Sequence, residues 1–440
     1  MDNYLDTLKD KSIAVIGAGK TGFSGVKYLF DKVKNIKLFD DNKISDDVIN
    51  FLNSNSIKFS NLNNEILAFD MIFLSPGVPR SLEIIQKAIE NKIEIVNDIE
   101  LLHRIKPDVK TVAITGSNGK TTTTYLTGEI FSKKYKTAIA GNIGTPVLDL
   151  IDDDYEVFIL ELSSFQIESL TKFSPNIATI LNITPDHLDR YESMNEYAET
   201  KKIICKNVEN TGTIILNRED ILLKDLIYDN TLYFSSKLTD SDIYIENNKI
   251  VFNKFSINLS EIFVKGVHNY ENIMSAILMA NAFDISFEII KDTVINFSGV
   301  EHRLEFIKKI DGVSYYNDSK ATNPDSVVSA INSFDTPIIW LAGGRSKKTP
   351  FNEVLKLVKT KVKYAIFFGE SKEEFADTFK NIIDFDITET LESAILKAKE
   401  ISKNGDIIVL SPGCTSFDAY TSYEKRGKHF KELVGGFVEN

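Results

Sequence analysis

The sequence predicts an α/β protein built from three domains, and three observations carry that prediction. Short apolar runs of strand length alternate with helix-length segments along the whole chain. Glycine-rich and polar clusters fall at the ends of those runs, where an open parallel sheet binds its ligands. The 440 residues also exceed one core, at a soft prior of about 150 residues per domain. The expected division is 1–98, 99–299 and 300–440.

In the first region the runs Ile13–Ile16, Ile36–Phe39, Met71–Leu74 and Ile93–Val96 read as strands, with helices near Gly22–Phe30 and Leu82–Glu90. The first turn, Gly17-Ala-Gly19-Lys20-Thr21-Gly22, is a GxGxxG between a strand and a helix. Asp40 and Asp41 follow about 20 residues later, completing a pattern that places a diphosphate at a helix N-terminus and a carboxylate near a sugar or base. NAD and a UDP-sugar satisfy it equally, and a tight turn with no ligand is the plain alternative.

The middle region opens with Thr115-Gly116-Ser117-Asn118-Gly119-Lys120-Thr121-Thr122-Thr123, between the apolar run Val112–Ile114 and a helix-periodic segment. Successive backbone N–H groups and the positive helix end attract a polyphosphate there; Lys120 can reach its terminal groups and Thr121 can ligate Mg²⁺. The spacing departs from the common P-loop, which has a glycine where this chain has Ile114. Further strands are expected at Phe158–Leu162, Ile177–Leu181 and Thr213–Leu216, with Gly141-Asn142-Ile-Gly144, Glu161, Ser163, Gln166 and Asp186-His187 at or near strand ends. Asn247-Asn248 marks a hairpin, and Gly266–Asn272 reads as the cap of an apolar helix, Ile273–Phe283.

The last region has strands expected at Ser314–Tyr316, Ile338–Ala342, Tyr364–Phe368 and Ile407–Leu410. Polar motifs lie beside them: Glu301-His302-Arg303, Asn317–Asn323, Gly343–Lys347 and Ser411–Asp418.

Composition narrows the class. With 43% hydrophobic and 26% charged residues the chain is globular, and a net charge of −12 disfavours nucleic acid. No apolar stretch approaches the roughly 18 residues of a spanning helix, and two cysteines make no disulfide framework, so a cytoplasmic protein acting on small molecules is expected. Of the five histidines, His103 and His429 are expected at the surface.

The ordered set of motifs resembles the Mur ligase family, the ATP-dependent amide ligases of peptidoglycan precursor synthesis. It comprises the TGSNGKTTT loop, Gly141–Gly144, Glu161–Gln166, Asp186–Arg190, His268–Asn272, His302-Arg303, Asp318–Asn323 and Ser411–Asp418. The resemblance implies a Rossmann-like N-terminal UDP-substrate domain, a central P-loop-type ATPase domain and a Rossmann-like C-terminal domain for amino acid and nucleotide. The activity implied is addition of D-glutamate to UDP-N-acetylmuramoyl-L-alanine through an acyl phosphate by a monomer, since the Asp-Asn-Pro-Arg signature of diamino-acid-adding members is absent.

By the same resemblance, ATP is bound by Gly116, Asn118, Gly119, Lys120, Thr121, Thr122, Asn272, His302, Arg303 and Asp318. Gly19, Lys20, Thr21, Gly22, Asp40, Asp41, Ser75, Pro76, Gly77, Asn142, Ser163 and Gln166 face the UDP-substrate. Thr322, Lys347, Ser416, Phe417 and Tyr423 take D-glutamate, with tyrosine where phenylalanine is expected. Two Mg²⁺ ions fall to Thr121, Glu161, His187 and Lys201, the last as a carbamate; Lys120, His187 and Lys201 are the implied catalytic residues. Tyr197, four residues earlier, selects Lys201 over Lys202, although an exposed lysine is the ordinary expectation in such a helix. Asn272 could equally cap a helix and Arg303 pair with Glu305 at the surface. An NAD oxidoreductase would leave the later motifs unused, a folylpolyglutamate synthetase would lack the first region, and a regulatory ATP-binding module would bind without turnover.

Overall fold

The computed structural model describes residues 4–185, 190–208, 212–334, 336–347 and 349–438. Two compact units are present, Met1–Glu261 with His268–Ile295, and Ile262–Val267 with Asn296–Asn440.

The first unit contains two sheets. Strands β1 Ser12–Ile16, β2 Asn35–Phe39, β3 Lys58–Ser60, β4 Met71–Leu74 and β5 Glu94–Val96 form a parallel sheet in the order β3-β2-β1-β4-β5. Alternation along β1 sends Ile13 and Val15 into one apolar cluster and Ala14 and Ile16 into another, so both faces are covered and the strand is apolar throughout. The second sheet has nine strands: β6 Lys110–Thr115, β7 Thr137–Gly141, β8 Val157–Glu161, β9 Ile177–Ile180, β10 Thr213–Asn217, β11 Thr231–Ser235, β12 Ile243–Glu246, β13 Lys249–Phe252 and β14 Phe255–Asn258. Their order is β14-β13-β12-β11-β10-β9-β6-β8-β7, parallel from β7 to β12, with an antiparallel extension through β13 and β14. The expected hairpin turns at Asn247 and Asn248, both at positive φ (48° and 62°), a turn asparagine tolerates.

The second unit has one sheet: β15 Glu305–Ile310, β16 Val313–Asn317, β17 Ile338–Gly343, β18 Val362–Phe368, β19 Phe385–Thr388 and β20 Ile407–Gly413, in the order β15-β16-β20-β17-β18-β19. Only β15 runs antiparallel to its neighbour. Trp340 is fully buried in β17 and donates its indole N–H to the Ser411 carbonyl at 2.8 Å.

The structure corrects one element. The helix expected from Ile273 spans Val267–Ala282, so His268–Asn272 form its opening turns rather than its cap. Its buried residues begin at Asn272, which is why apolar periodicity alone started it late.

Candidate active site

The phosphate turn is set by β6 and the helix Lys120–Phe131. Gly119 precedes that helix at φ +84°, and a Cβ there would meet Asn272 Oδ1 at 2.2 Å. Only glycine lets Asn272, from a helix 150 residues downstream, lie against the turn. Asn272 is buried and helical, so its bland role as a cap is excluded.

Neighbouring side chains fix the turn. Asn118 N–H donates to Asn182 Oδ1 at 2.8 Å, and Asn182 Nδ2 returns a bond to the Asn118 carbonyl at 3.1 Å. Ser117 Oγ donates to the Thr184 carbonyl, accepts from the Thr184 N–H (both 2.9 Å), and lies 3.1 Å from the Tyr197 hydroxyl. Lys120 curls over the turn, donating to the carbonyls of Gly116 (2.7 Å) and Ser117 (2.8 Å). Thr121 and Thr122 are buried in the first helical turn.

Tyr197 and Lys201 share one face of the helix Met194–Lys206, one turn apart. Lys201 is 1% exposed; its Nζ donates to the Gly116 carbonyl at 3.2 Å and to Thr115 Oγ1 at 3.4 Å, and lies 4.7 Å from the Tyr197 ring centre. Lys202 instead pairs with Glu199 at 3.0 Å on the outer face. The ordinary expectation of an exposed lysine thus fails for Lys201.

On the adjacent strand, Glu161 ends β8 and is 2% exposed. Its Oε1 accepts from Asn142 Nδ2 at 3.0 Å, while Oε2 is buried without a hydrogen-bond partner among the described residues. A desolvated carboxylate oxygen is costly unless something compensates it, and a hard cation that takes oxygen ligands would do so. The donor set therefore fits Mg²⁺ at Glu161. His187, with Asp186, Leu188 and Asp189, lies outside the described residues, as does Lys348 beside Lys347.

The GxGxxG turn occupies the carboxyl edge of the first sheet. A Cβ on Gly22 would lie 1.7 Å from the Gly17 carbonyl oxygen, which also accepts from Ser75 Oγ at 2.9 Å. Asp40 accepts the Ala18 N–H at 2.6 Å and the Asn42 N–H at 2.8 Å, and Asp41 accepts the Leu62 N–H at 2.9 Å. Both carboxylates hold the loop itself. Gly19, Lys20 and Gly77 are exposed, Thr21 and Pro76 half-buried.

Ser163 and Gln166 form a capping box on the short helix Ser164–Ile167. Asn97 Nδ2 donates to the Gln166 carbonyl at 2.8 Å, and Arg80 donates to the Glu168 carbonyl at 3.0 Å. Glu100 is fully buried and accepts the backbone N–H groups of Thr171, Lys172 and Phe173. These contacts, which nothing in the sequence flags, fix the first sheet's domain against the segment carrying Ser163 and Gln166. His103, expected at the surface, is half-buried edge-on to Phe173, and burial lowers its pKa. His429 is likewise half-buried, its Nδ1 2.8 Å from the Tyr420 hydroxyl.

In the second unit His302 is 5% exposed at φ +63°, and burial lowers its pKa. Asn317 Nδ2 lies 2.9 Å from its Nδ1. Glu301, His302 and Glu305 crowd together, but the Lys431 ammonium already bonds both carboxylates. Asp318, at the end of β16, accepts Ser411 Oγ at 2.9 Å and the Leu304 N–H at 3.2 Å; burial pushes its pKa up to about 7, against the pull of those bonds and of Arg303. Thr322 Oγ1 accepts from Lys347 Nζ at 3.4 Å. Arg345 and Thr415 exchange backbone bonds of 2.9 and 3.1 Å, drawing the Lys347 loop beside buried Ser416. Phe417 is 58% exposed, and Tyr423 stands edge-on to His302 at 6.3 Å.

This arrangement defines a class: a strand–glycine–helix turn carrying Lys120 and backed by buried Lys201, with buried Glu161 on the neighbouring strand, and a second glycine turn of the GxGxxG type at the end of β1. Residues 11–97, 114–280 and 302–414 match the family models "Mur ligase MurD-like, N-terminal domain", "Mur ligase middle domain" and "Mur ligase, glutamate ligase domain". The chain belongs to the Mur ligase family. It is 41% identical to a UDP-N-acetylmuramoylalanine--D-glutamate ligase of Clostridioides difficile, over 97% of this chain and 99% of that one. It is 38% identical to a ligase of the same name from Caldicellulosiruptor saccharolyticus, over 96% and 98%. Solved structures share the fold: a MurF ligase from Thermotoga maritima in complex with ADP (TM-score 0.60, 17% identity, 98% of each chain) and a pseudomurein peptide ligase type C from Methanothermus fervidus (0.59, 20%, 97% and 99%). Among the described residues no helix is long and apolar enough to cross a membrane.

Proposed function

We propose that this chain joins D-glutamate to UDP-N-acetylmuramoyl-L-alanine at the expense of ATP. The observation that carries the reading is the convergence of Lys120, buried Lys201 and the unpartnered Glu161 oxygen at the ends of the neighbouring strands β6 and β8. The relatives' names supply the substrates.

Amide formation from a carboxylate is uphill in water, so the carboxylate is first activated. A carboxylate oxygen attacks the γ-phosphorus of ATP, the bond to ADP breaks, and an acyl phosphate forms. The amino nitrogen of D-glutamate then attacks the acyl carbon and loses a proton, and inorganic phosphate leaves with the original carboxylate oxygen. Both anions must be held in line and their charge offset, which is the work assigned to Lys120 and the loop amides.

Thr121 and Glu161 would hold one Mg²⁺, and His187 with Lys201 a second. When bound, the ions neutralise charge on the transferring phosphoryl group. An ammonium would repel such an ion, so Lys201 is assigned as a carbamate, which turns the side chain into an oxygen donor. Its remaining N–H can keep the bond to the Gly116 carbonyl. Asn272, His302, Arg303 and Asp318 are assigned to the nucleotide. Gly19–Gly22, Asp40, Asp41, Ser75–Gly77, Asn142, Ser163 and Gln166 are assigned to the UDP-substrate. Lys347, Thr322, Ser416, Phe417 and Tyr423 make a pocket for an anionic amino acid, since a diamino acid would want carboxylates there.

The test is phosphate release with ATP, Mg²⁺, UDP-N-acetylmuramoyl-L-alanine and D-glutamate, each omitted in turn. L-glutamate, D-aspartate, L-lysine and meso-diaminopimelate then replace the acceptor. The reading requires all four components and fastest release with D-glutamate; faster release with another acceptor overturns the substrate assignment.

A further inference from the structure

Arg426 is 1% exposed in the helix Tyr423–Gly435; its guanidinium hydrogen bonds all go to neutral groups, while the Asp418 and Asp318 carboxylates act on it through charge. Nε donates to Ser319 Oγ at 3.0 Å; Nη1 to the carbonyls of Gly343 (3.3 Å) and Thr415 (3.2 Å); Nη2 to those of Ser319 (2.9 Å) and Cys414 (3.1 Å). Those five bonds use the five donors of the fork. Burying a charge is expensive, and an arginine needed only for packing could be replaced by an apolar side chain. Here the charge is spent on three loops at the carboxyl ends of β16, β17 and β20. One loop carries Thr322, one Lys347 and one Ser416, while Tyr423 lies three residues before Arg426 on its own helix.

The geometry also orients donors. In a trans peptide the carbonyl and the following N–H point in opposite directions, and no cis peptide is present among the described residues. Carbonyls of Gly343 and Thr415 turned toward Arg426 therefore turn the N–H groups of Gly344 and Ser416 away from it, and the guanidinium polarises those amides toward stronger donation.

We propose that Arg426 is a positioning residue for the acceptor amino acid: by gathering four carbonyls of three loops on its buried side, it aims the Gly344 and Ser416 amides, with Lys347, at the acceptor's carboxylates. The inference rests on the D-glutamate reading of these loops. Asp318 keeps its hydrogen bonds to Ser411 and the Leu304 N–H in either variant, and Arg426→Lys preserves the positive charge that acts on it, so the nucleotide side is affected less.

The experiment is steady-state kinetics of the full chain, with the KM for each substrate and kcat measured for wild type, Arg426→Lys and Ser319→Ala. Lysine keeps the charge but loses the fork. Arg426→Lys should raise the KM for D-glutamate about tenfold or more, with the KM for ATP and for the UDP-substrate within about twofold. Ser319→Ala, which removes only the acceptor of Nε and a hydroxyl bond to the Tyr423 carbonyl, should raise it about threefold. A fall in kcat with all three KM values unchanged marks a merely structural residue and overturns the inference. If Arg426→Lys does not fold, Ser319→Ala decides: an unchanged KM for D-glutamate overturns it. A wild-type enzyme showing no D-glutamate-dependent phosphate release would instead sink the functional reading beneath it.

Discussion

The first unit contains two strand–glycine–helix turns with similar local sequence and different construction. Around the turn Gly116–Gly119 three separate segments converge, carrying Asn182 and Thr184, Tyr197 and Lys201, and Asn272, while Lys120 folds back on the loop. Around Gly17–Gly22 fewer partners close the turn, Ser75 on the Gly17 carbonyl and Asp40 on the Ala18 N–H, and Lys20 is exposed. Under the proposed function the difference separates a turn assigned to chemistry from one assigned to binding. Phosphoryl transfer needs preorganised charge in a dry setting, whereas a diphosphate at a helix N-terminus needs only amides and space.

The largest effect that sharpens this contrast is expected from Lys120→Ala. Loss of a positioned cation at the transferring group should lower kcat on the order of 10²-fold or more. Calorimetry should find UDP-substrate affinity within about twofold, because that turn is built independently. Comparable losses of both would merge the two turns into one functional site.

Lys201→Ala should lose activity on a similar scale, on the order of 10²-fold. Part should return with added formate or acetate, while Lys202→Ala, which removes only an ion pair with Glu199, should stay within about twofold. Equal losses in the two variants would remove the special status of the buried lysine.

In the second unit, Lys347→Ala should raise the KM for D-glutamate by the equivalent of about 1.5–3 kcal/mol, the worth of a charge-assisted hydrogen bond, and the KM for ATP far less. Gly22→Ala probes the binding turn: a Cβ 1.7 Å from the Gly17 carbonyl forces the loop apart. Thermal unfolding should show a loss of about 1–3 kcal/mol, with weakened UDP-substrate binding and an unchanged KM for ATP.

A pH-dependent effect concerns Asp98, on the helix Asp98–Ile105 that follows the first sheet. It is fully buried with no side-chain partner for its carboxylate among the described residues, and burial, outweighing the pull of the Asp98 and Ile99 backbone N–H groups, pushes its pKa up to about 7 from 3.8. At low pH the group is neutral folded and unfolded. As pH rises through the unfolded value toward 7 the unfolded chain releases its proton first, so stability falls across that window and levels off above it. Asp98→Asn should therefore gain more in Tm over wild type at pH 8 than at pH 5; equal differences would contradict an ionisable, strained carboxyl.

How much of this was legible in the sequence depended on the range of the interaction. Buried strands such as Met71–Leu74 announced themselves as apolar runs. The edge strands β3 and β19 did not, because Lys58–Ser60 and Phe385–Thr388 are exposed or half-buried and carry no such run. Lys201 could be picked only through a motif, since its burial depends on Gly116 and Thr115, 85 and 86 residues away. Asn272 against Gly119 and Arg426 beneath three loops are contacts of the same long-range kind. Arg426 sits in a helix so rich in charge that nothing local distinguishes it.

The central claim is that this fold activates a carboxylate by phosphoryl transfer, and isotope tracing tests it most directly. UDP-N-acetylmuramoyl-L-alanine labelled with ¹⁸O in its terminal carboxylate is turned over with ATP and D-glutamate, and the phosphate is analysed by mass spectrometry. Activation as an acyl phosphate transfers one carboxylate oxygen to each phosphate released, so labelled phosphate should accumulate in step with the amide product. Label absent from phosphate, or found in AMP, would contradict the account.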